Sequence, residues 1–345
     1  MPSDSPRILI SRMSAIGDTI LSLPIACALR RRFPSAFLGW VVEEKSSPVV
    51  IDHDCLDEIV VFKRGWFTSA RGIRLARKAL LPLDFDVVID CQGVTKSALA
   101  GWLSGAAERI GYRGKYGCEL SPFLNNRLVQ PHSTHLTDRS LELLTVIGIE
   151  QPEVEWRYPL SESARLEADR VIQGLRLAGS FAVINPGASW DSRLWSVERF
   201  GEVARYLGEV HRMSTLVVWG NPREHQWARQ IVATSAGYGI LAPDTQLDEL
   251  AAILERARLF ISSDTGPLHL AVAMGTRCIS LHGVTRPQDS GPYGPQHSPV
   301  QVQFDAGTRR QRRQADNSAM MLITPQMVCR ECDRLVEDSK REDAA

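Results

Sequence analysis

The sequence predicts an α/β protein made of two similar doubly wound halves, and three observations carry that prediction. Short apolar runs alternate with amphipathic stretches along the chain, the pattern of a parallel sheet covered by helices on both faces. The alternation stops at residues 148–159, which have the Pro, Glu and Gln content of a linker, and then starts again. Length agrees: 345 residues with 44% hydrophobic content suffice for about two domains with their own cores.

In the first half, residues 8–11, 37–42, 59–62 and 87–90 read as short buried strands. Amphipathic stretches at 21–32 and 70–80 read as the helices between them, and a helix near 133–147 closes the half. The second half repeats the pattern, with strands at 181–185, 216–219, 259–263 and 278–282 and helices near 197–207, 223–235 and 247–256. The expected domains are 1–155 and 156–325, followed by a C-terminal helix and tail over 326–345. The polar segment 305–318, with Arg309-Arg-Gln-Arg-Arg313, reads as a mobile loop. In such folds ligands bind at the carboxyl ends of the strands, here in the cleft between the halves.

Composition and missing motifs exclude several classes. Forty Lys and Arg balance forty Asp and Glu, so no global field favours nucleic acid. The seven cysteines are scattered and mostly in apolar runs, which suits reduced core thiols better than a disulfide framework. Cys329-Arg-Glu-Cys332 is a lone CxxC without a second pair, and reads as part of a helix. No GxGxxG follows the first strand and no GxxxxGK[ST] occurs, which argues against a dinucleotide dehydrogenase and a P-loop enzyme. The N-terminus has no long apolar core of the signal-peptide kind and no run approaches a membrane span, so the expected location is cytoplasmic.

The run Asp264-Thr-Gly-Pro-Leu-His-Leu-Ala-Val-Ala-Met274 follows the strand 259–263 directly. Such a strand-to-helix turn presents free backbone N–H groups at the positive end of a helix dipole, and Gly266 permits close approach of a ligand. The natural guest is a phosphate or diphosphate, although a helix capped for structural reasons fits the same residues equally well. Asp18, after Gly17 and the first strand, sits at an expected helix start. An ionised aspartate there can serve as a general base, and on capping frequency alone it is as well read as a cap.

Five strings together resemble the inverting glycosyltransferases of family 9, typified by the bacterial ADP-heptose:lipopolysaccharide heptosyltransferases. They lie at residues 8–24, 86–93, 185–189, 263–269 and 282–287, in order and on the expected elements. The resemblance implies the two-domain GT-B fold, with two doubly wound Rossmann-like domains facing a central cleft. It makes Asp18 the catalytic base and gives the second half a nucleotide diphosphate sugar, with ADP-heptose as the expected donor. Donor-binding residues would be Ser189, Arg193, Glu224, Asp264, Thr265, Gly266 and His269, with Glu224 on the ribose and Arg193 on the phosphates; a solvated helix start also fits Glu224, and a buried structural histidine fits His269 equally well. The resembled enzymes usually carry lysine where Arg193 falls, which changes the geometry of the charge.

The resemblance also implies that no metal is used and no other cofactor is needed, so Asp84 and Asp86, which mimic a DxD metal grip, read as a turn and a strand edge. Basic residues concentrate in the first half and suit an anionic acceptor, such as the phosphorylated or Kdo-bearing inner core of a lipid-linked saccharide, although an ordinary solvated face fits most of them. Arg64 and Arg113 are the candidates there, with Arg139 added by the resemblance. A lipid-linked acceptor implies peripheral contact with the inner face of the cytoplasmic membrane. Trp66 and Phe67 read as lipid contacts or as ordinary packing. Alternatives from the residues are a transferase using another nucleotide sugar, a nucleotide-sugar epimerase, and a sugar-nucleotide binding protein without catalysis.

Overall fold

A computed structural model of the chain describes residues 5–177 and 179–343. The chain divides into two compact units at Pro159 and Leu160. Residues 150–160 between them form neither helix nor strand, as two prolines and a run of charged and polar residues lead one to expect.

The first unit contains one parallel sheet of six strands: β1 (Arg7–Ser11), β2 (Phe37–Glu43), β3 (Glu58–Phe62), β4 (Val87–Asp90), β5 (Glu108–Tyr112) and β6 (Arg127–Val129). Their order across the sheet is β3-β2-β1-β4-β5-β6. The central strands β1 and β4 are buried almost throughout because helices cover both faces, and this is why their sequences read as continuous apolar runs. Leu9, Val41 and Val88 project into a core shared with Trp66, Leu80 and Leu103. Trp66 therefore packs, with its ring 4.9 Å from that of Phe62.

The second unit repeats the plan with β7 (Phe181–Asn185), β8 (Ser214–Val217), β9 (Gly239–Leu241), β10 (Leu259–Ser263), β11 (Arg277–His282) and β12 (Ser298–Gln301). The order β12-β11-β10-β7-β8-β9 is the same winding, and every strand pair is parallel. The helix Pro325–Asp343 lays Val328, Cys332, Leu335 and Val336 into this unit's core, alongside Phe200, Val203 and Leu207 of the helix Val197–His211. Ala344 and Ala345 lie outside the described residues.

Two expectations need correction. Each sheet has six strands where four were expected, and the four extra ones, β5, β6, β9 and β12, have only three to five residues each. The segment 305–318 is also no open loop, for it contains the helix Arg309–Gln314, capped by Thr308 and Gln311. That helix is tied down at its backbone and side chains: Ser192 Oγ donates to the Arg312 carbonyl at 2.8 Å, and Arg312 Nη1 donates to the Val284 carbonyl at 3.1 Å. All seven cysteines are free thiols.

Candidate active site

In each sheet the strand order reverses at one place, between β1 and β4 in the first unit and between β7 and β10 in the second. Connections leave to opposite faces there, so a crevice opens beyond the carboxyl ends of those strands. The four loops at these ends are residues 12–15, 91–94, 186–190 and 264–265, and they hold or lead into the motifs singled out in the sequence.

In the first unit, Arg12 follows β1 and is buried. Its Nη1 donates to the Cys91 carbonyl at 2.7 Å, and its Nη2 lies 2.9 Å from Asp18 Oδ2. Asp18 stands in the first turn of the short helix Ile16–Ile20, whose N-cap is Ala15 with no side-chain capping bond. The capping role is thus not what Asp18 performs; its carboxylate, 42% exposed, is held by a buried cation. Beside it, Lys96 Nζ donates to Ser14 Oγ at 2.7 Å and pairs with Glu43 at 2.8 Å. Arg12, Glu43 and Lys96 escaped the sequence reading because their partners are distant in the chain; the local signals were a charge immediately after an apolar strand and a lysine at a helix start.

In the second unit, β10 runs into the helix Gly266–Ala273 through Asp264 and Thr265. Thr265 is the N-cap but makes no side-chain capping bond, and its hydroxyl accepts from Asn185 Nδ2 at 3.4 Å. The Thr265 side chain therefore takes none of the first-turn N–H groups, which Gly266 and Leu268 contribute and Pro267 does not. Asp264 is buried: Arg193 Nη1 donates to its carbonyl at 2.9 Å and lies 3.4 Å from its Oδ2, and His269 Nε2 is 3.5 Å from its Oδ1. Burial pushes the Asp264 carboxyl up, but the His269 hydrogen bond and the Arg193 charge outweigh it and hold the group well below the usual carboxylate range. Arg193 stacks over the Trp190 ring at 4.0 Å. Its Nε and His269 Nδ1 are both buried without a partner.

Ser189 is exposed on the loop after β7. Glu224, in the first turn of the helix Pro222–Thr234, accepts from the Gly220 N–H at 2.8 Å. A Cβ on Gly187 would come within 2.5 Å of the Glu224 carboxylate, so the glycine of the string 185–189 is what lets the two loops approach. Next to Glu224 is an apolar recess that the sequence did not reveal, lined by Leu175, Trp219, His225, Leu241, Ala242 and Pro243. Trp219 Nε1 is satisfied by the Ala242 carbonyl at 2.9 Å, which leaves its ring as a fixed wall.

Arg64 and Arg113 are exposed, and Arg139 is half-buried with its guanidinium 4.6 Å from the Tyr116 ring centre. Arg139's helix is joined to the Asp18 region by Thr137 Oγ1, which donates to the Leu21 carbonyl at 3.0 Å. No such tie links Arg64 and Arg113 to Asp18 among the described residues. Asp86 is spent on the Arg7 N–H at 2.8 Å, and Asp84 ends a 3₁₀ turn with left-handed backbone. Another cation-binding candidate is the group His53, Asp54 and Cys55, whose donor atoms lie within 4.8 Å of one another. Its His53 Nδ1 accepts the Cys55 N–H at 3.2 Å, and the Arg157 guanidinium already lies 3.5 Å from Asp54. That donor set does not fit a metal ion well.

The sequence profile of glycosyltransferase family 9 (heptosyltransferase) matches residues 73–319, more than half of the chain. The chain belongs to glycosyltransferase family 9. This family-9 enzyme is 26% identical over 306 residues to lipopolysaccharide heptosyltransferase 1 of Escherichia coli K12, covering 84% of this chain and 91% of that one. It is 27% identical over 298 residues to lipopolysaccharide heptosyltransferase 1 of Pseudomonas aeruginosa, covering 84% and 81%. Among solved structures, a family-9 glycosyltransferase from Veillonella parvula superposes with a TM-score of 0.80 at 22% identity, covering 97% of this chain and all of that one. The E. coli heptosyltransferase WaaC with ADP superposes with a TM-score of 0.73 at 23% identity, covering 96% and 98%. The fold of the family-9 chain is accordingly GT-B.

Proposed function

We propose that this enzyme transfers a heptose from ADP-heptose to the inner core of a lipid-linked cell-envelope saccharide, with inversion at the anomeric carbon and without a metal. The observation that supports this most is the uncapped start of the helix Gly266–Ala273 beside Arg193. N–H groups on a helix dipole and a guanidinium with an unspent donor suit the two phosphates of a nucleotide diphosphate.

The donor's diphosphate lies on Thr265, Gly266 and Arg193, with Ser189 and His269 as further donors. The base enters the recess walled by Trp219, and Glu224 accepts from the ribose hydroxyls. As the acceptor oxygen attacks the anomeric carbon, Asp18 takes its proton and the bond to the phosphate breaks. The electron pair goes to the departing ADP, whose growing charge the fixed donors stabilise. Metal-dependent transferases place a cation there, and Arg193 takes that place. Arg64, Arg113 and Arg139 attract the anionic acceptor, which brings the enzyme to the inner face of the cytoplasmic membrane as a peripheral protein. No helix among the described residues is long and apolar enough to cross a membrane.

The test is a transfer assay with ADP-heptose and a Kdo-bearing lipid acceptor in excess EDTA, the product's new linkage being read by NMR. The expected result is ADP release with the anomeric configuration opposite to the donor's. Retained configuration, or activity that vanishes with EDTA and returns with Mg²⁺ or Mn²⁺, would overturn the mechanism.

A further inference from the structure

The string Asp90-Cys-Gln-Gly93 has no part in the transfer as described, yet the structure builds it into a brace under Asp18. Asp90 is fully buried, and its Oδ1 accepts the N–H groups of Gln92 and Gly93 at 3.2 and 3.0 Å. Its Oδ2 accepts from Ser121 Oγ at 3.2 Å and Asn125 Nδ2 at 2.9 Å. Gly93 is left-handed at φ +70°, and a Cβ there would meet the Tyr116 carbonyl at 2.2 Å. The turn after β4 is therefore fixed from both sides.

This turn offers two acceptors to the end of β1: the Cys91 carbonyl takes Arg12 Nη1 at 2.7 Å, and Gln92 Oε1 takes the Met13 N–H at 2.8 Å. From the other side Trp40 Nε1 donates to the Arg12 carbonyl at 3.0 Å, and the Glu43 N–H donates to the Met13 carbonyl at 3.0 Å. Backbone and guanidinium of Arg12 are both clamped, which leaves Nη2 aimed at Asp18 Oδ2, 2.9 Å away. The Arg12 side chain is only 5% exposed, so a guanidinium without Asp18 would be an uncompensated buried charge.

Resting on the reading of Asp18 as the base, we propose that Arg12 is a positioning residue. Clamped by the Cys91 carbonyl, it fixes Asp18 Oδ2 and thereby leaves Oδ1 as the oxygen that receives the acceptor's proton. The Asp90 network acts one step further out, by holding Cys91 and Gln92 in place. General-base catalysis needs the base within hydrogen-bond reach of the proton, and small displacements of an oriented group cost large factors in rate.

The test uses the full-length enzyme with ADP-heptose and the Kdo-bearing acceptor, carrying Arg12→Lys, Arg12→Gln, Asp18→Asn and the double variant Arg12→Gln/Asp18→Asn. Arg12→Gln is expected to lower kcat by about 10²-fold while both KM values and the ADP affinity stay within about threefold. Arg12→Lys should recover part of the loss, since an ammonium keeps the charge but cannot grip the Cys91 carbonyl and Asp18 in one plane. On the Asp18→Asn background, Arg12→Gln should cost nothing further, because residues acting as one unit are not additive. Should Arg12→Gln fail to fold, as thermal unfolding would reveal, Arg12→Lys carries the test by the same split between kcat and KM. Unchanged kcat in the folded Arg12 variants, or losses that multiply with that of Asp18→Asn, would overturn the proposal while leaving Asp18 in place. Near wild-type turnover by Asp18→Asn would instead bring down the base, and Arg12's role with it.

Discussion

Asp264 and His282 lie near one another in the second unit, and their burial acts on them differently. Asp264 keeps its charge because His269 and Arg193 serve it, whereas burial pushes His282 down to about 4 despite the pull of Asp264. His282 stays neutral between Thr285 Oγ1 at 3.1 Å and Ser280 Oγ at 2.9 Å. His297 is likewise lowered to about 4 by burial. Both folded values lie below that of an unfolded histidine, so between pH 6.5 and 4 the unfolded chain binds protons that the folded chain refuses. Stability therefore falls as pH drops through that window, by on the order of 3 kcal/mol for His282. Asp264, depressed in the fold, adds a further loss only below the ordinary carboxylate range. Thermal unfolding across pH 4–7 should show this slope, and His282→Gln should make it shallower; an unchanged slope in that variant would contradict the assignment. Local chemistry marked Asp18, Asp264, Thr265 and Gly266 in the sequence, since each sits where an apolar strand meets a helix. Arg12 stands at the same kind of junction, but its anchor, Cys91, is 79 residues away, and a contact of that kind leaves no periodic trace.

Elements were legible where the sheet is doubly covered. The strand β10 has every residue buried, so Leu-Phe-Ile-Ser-Ser announces itself, as do β1, β4 and β7. The strands β6 and β9 lie at sheet edges and have three residues each, with Arg127 and Gly239 among them, too short and too mixed for a period of two to emerge. The helix Arg309–Gln314 reads as a loop for a different reason: its sequence is polar throughout, and what holds it is Ser192 and Val284, more than twenty residues away. The helix Pro325–Asp343 carries a clear prediction. Leu335 is 1% exposed in the second unit's core, so Leu335→Ala should cost about 2–5 kcal/mol. Calorimetric or spectroscopic unfolding checks this, and a change below about 0.5 kcal/mol, as for a surface position, would mean the helix is not part of that core.

At the scale of the whole molecule, the same winding is used twice, and each unit offers the crevice at its own strand reversal. In the proposed mechanism the donor belongs to the second unit, and the base with the acceptor cations to the first. Two-domain organisation and doubly wound topology were legible in the sequence because the strand-helix alternation visibly restarts after residue 159. What no local pattern encodes is which side chains from distant loops meet, and so the apolar recess at Trp219 and the ion pairs of Arg12 and Lys96 came only with the fold. The division of labour is tested most directly by isothermal calorimetry of ADP binding to Arg193→Ala, Thr265→Val, Arg64→Ala and Arg113→Ala. The first two variants should each lose roughly 1–3 kcal/mol of ADP affinity, and the other two should match the wild type. Equal losses from both pairs would refute this division, because the nucleotide would then draw its affinity from both units.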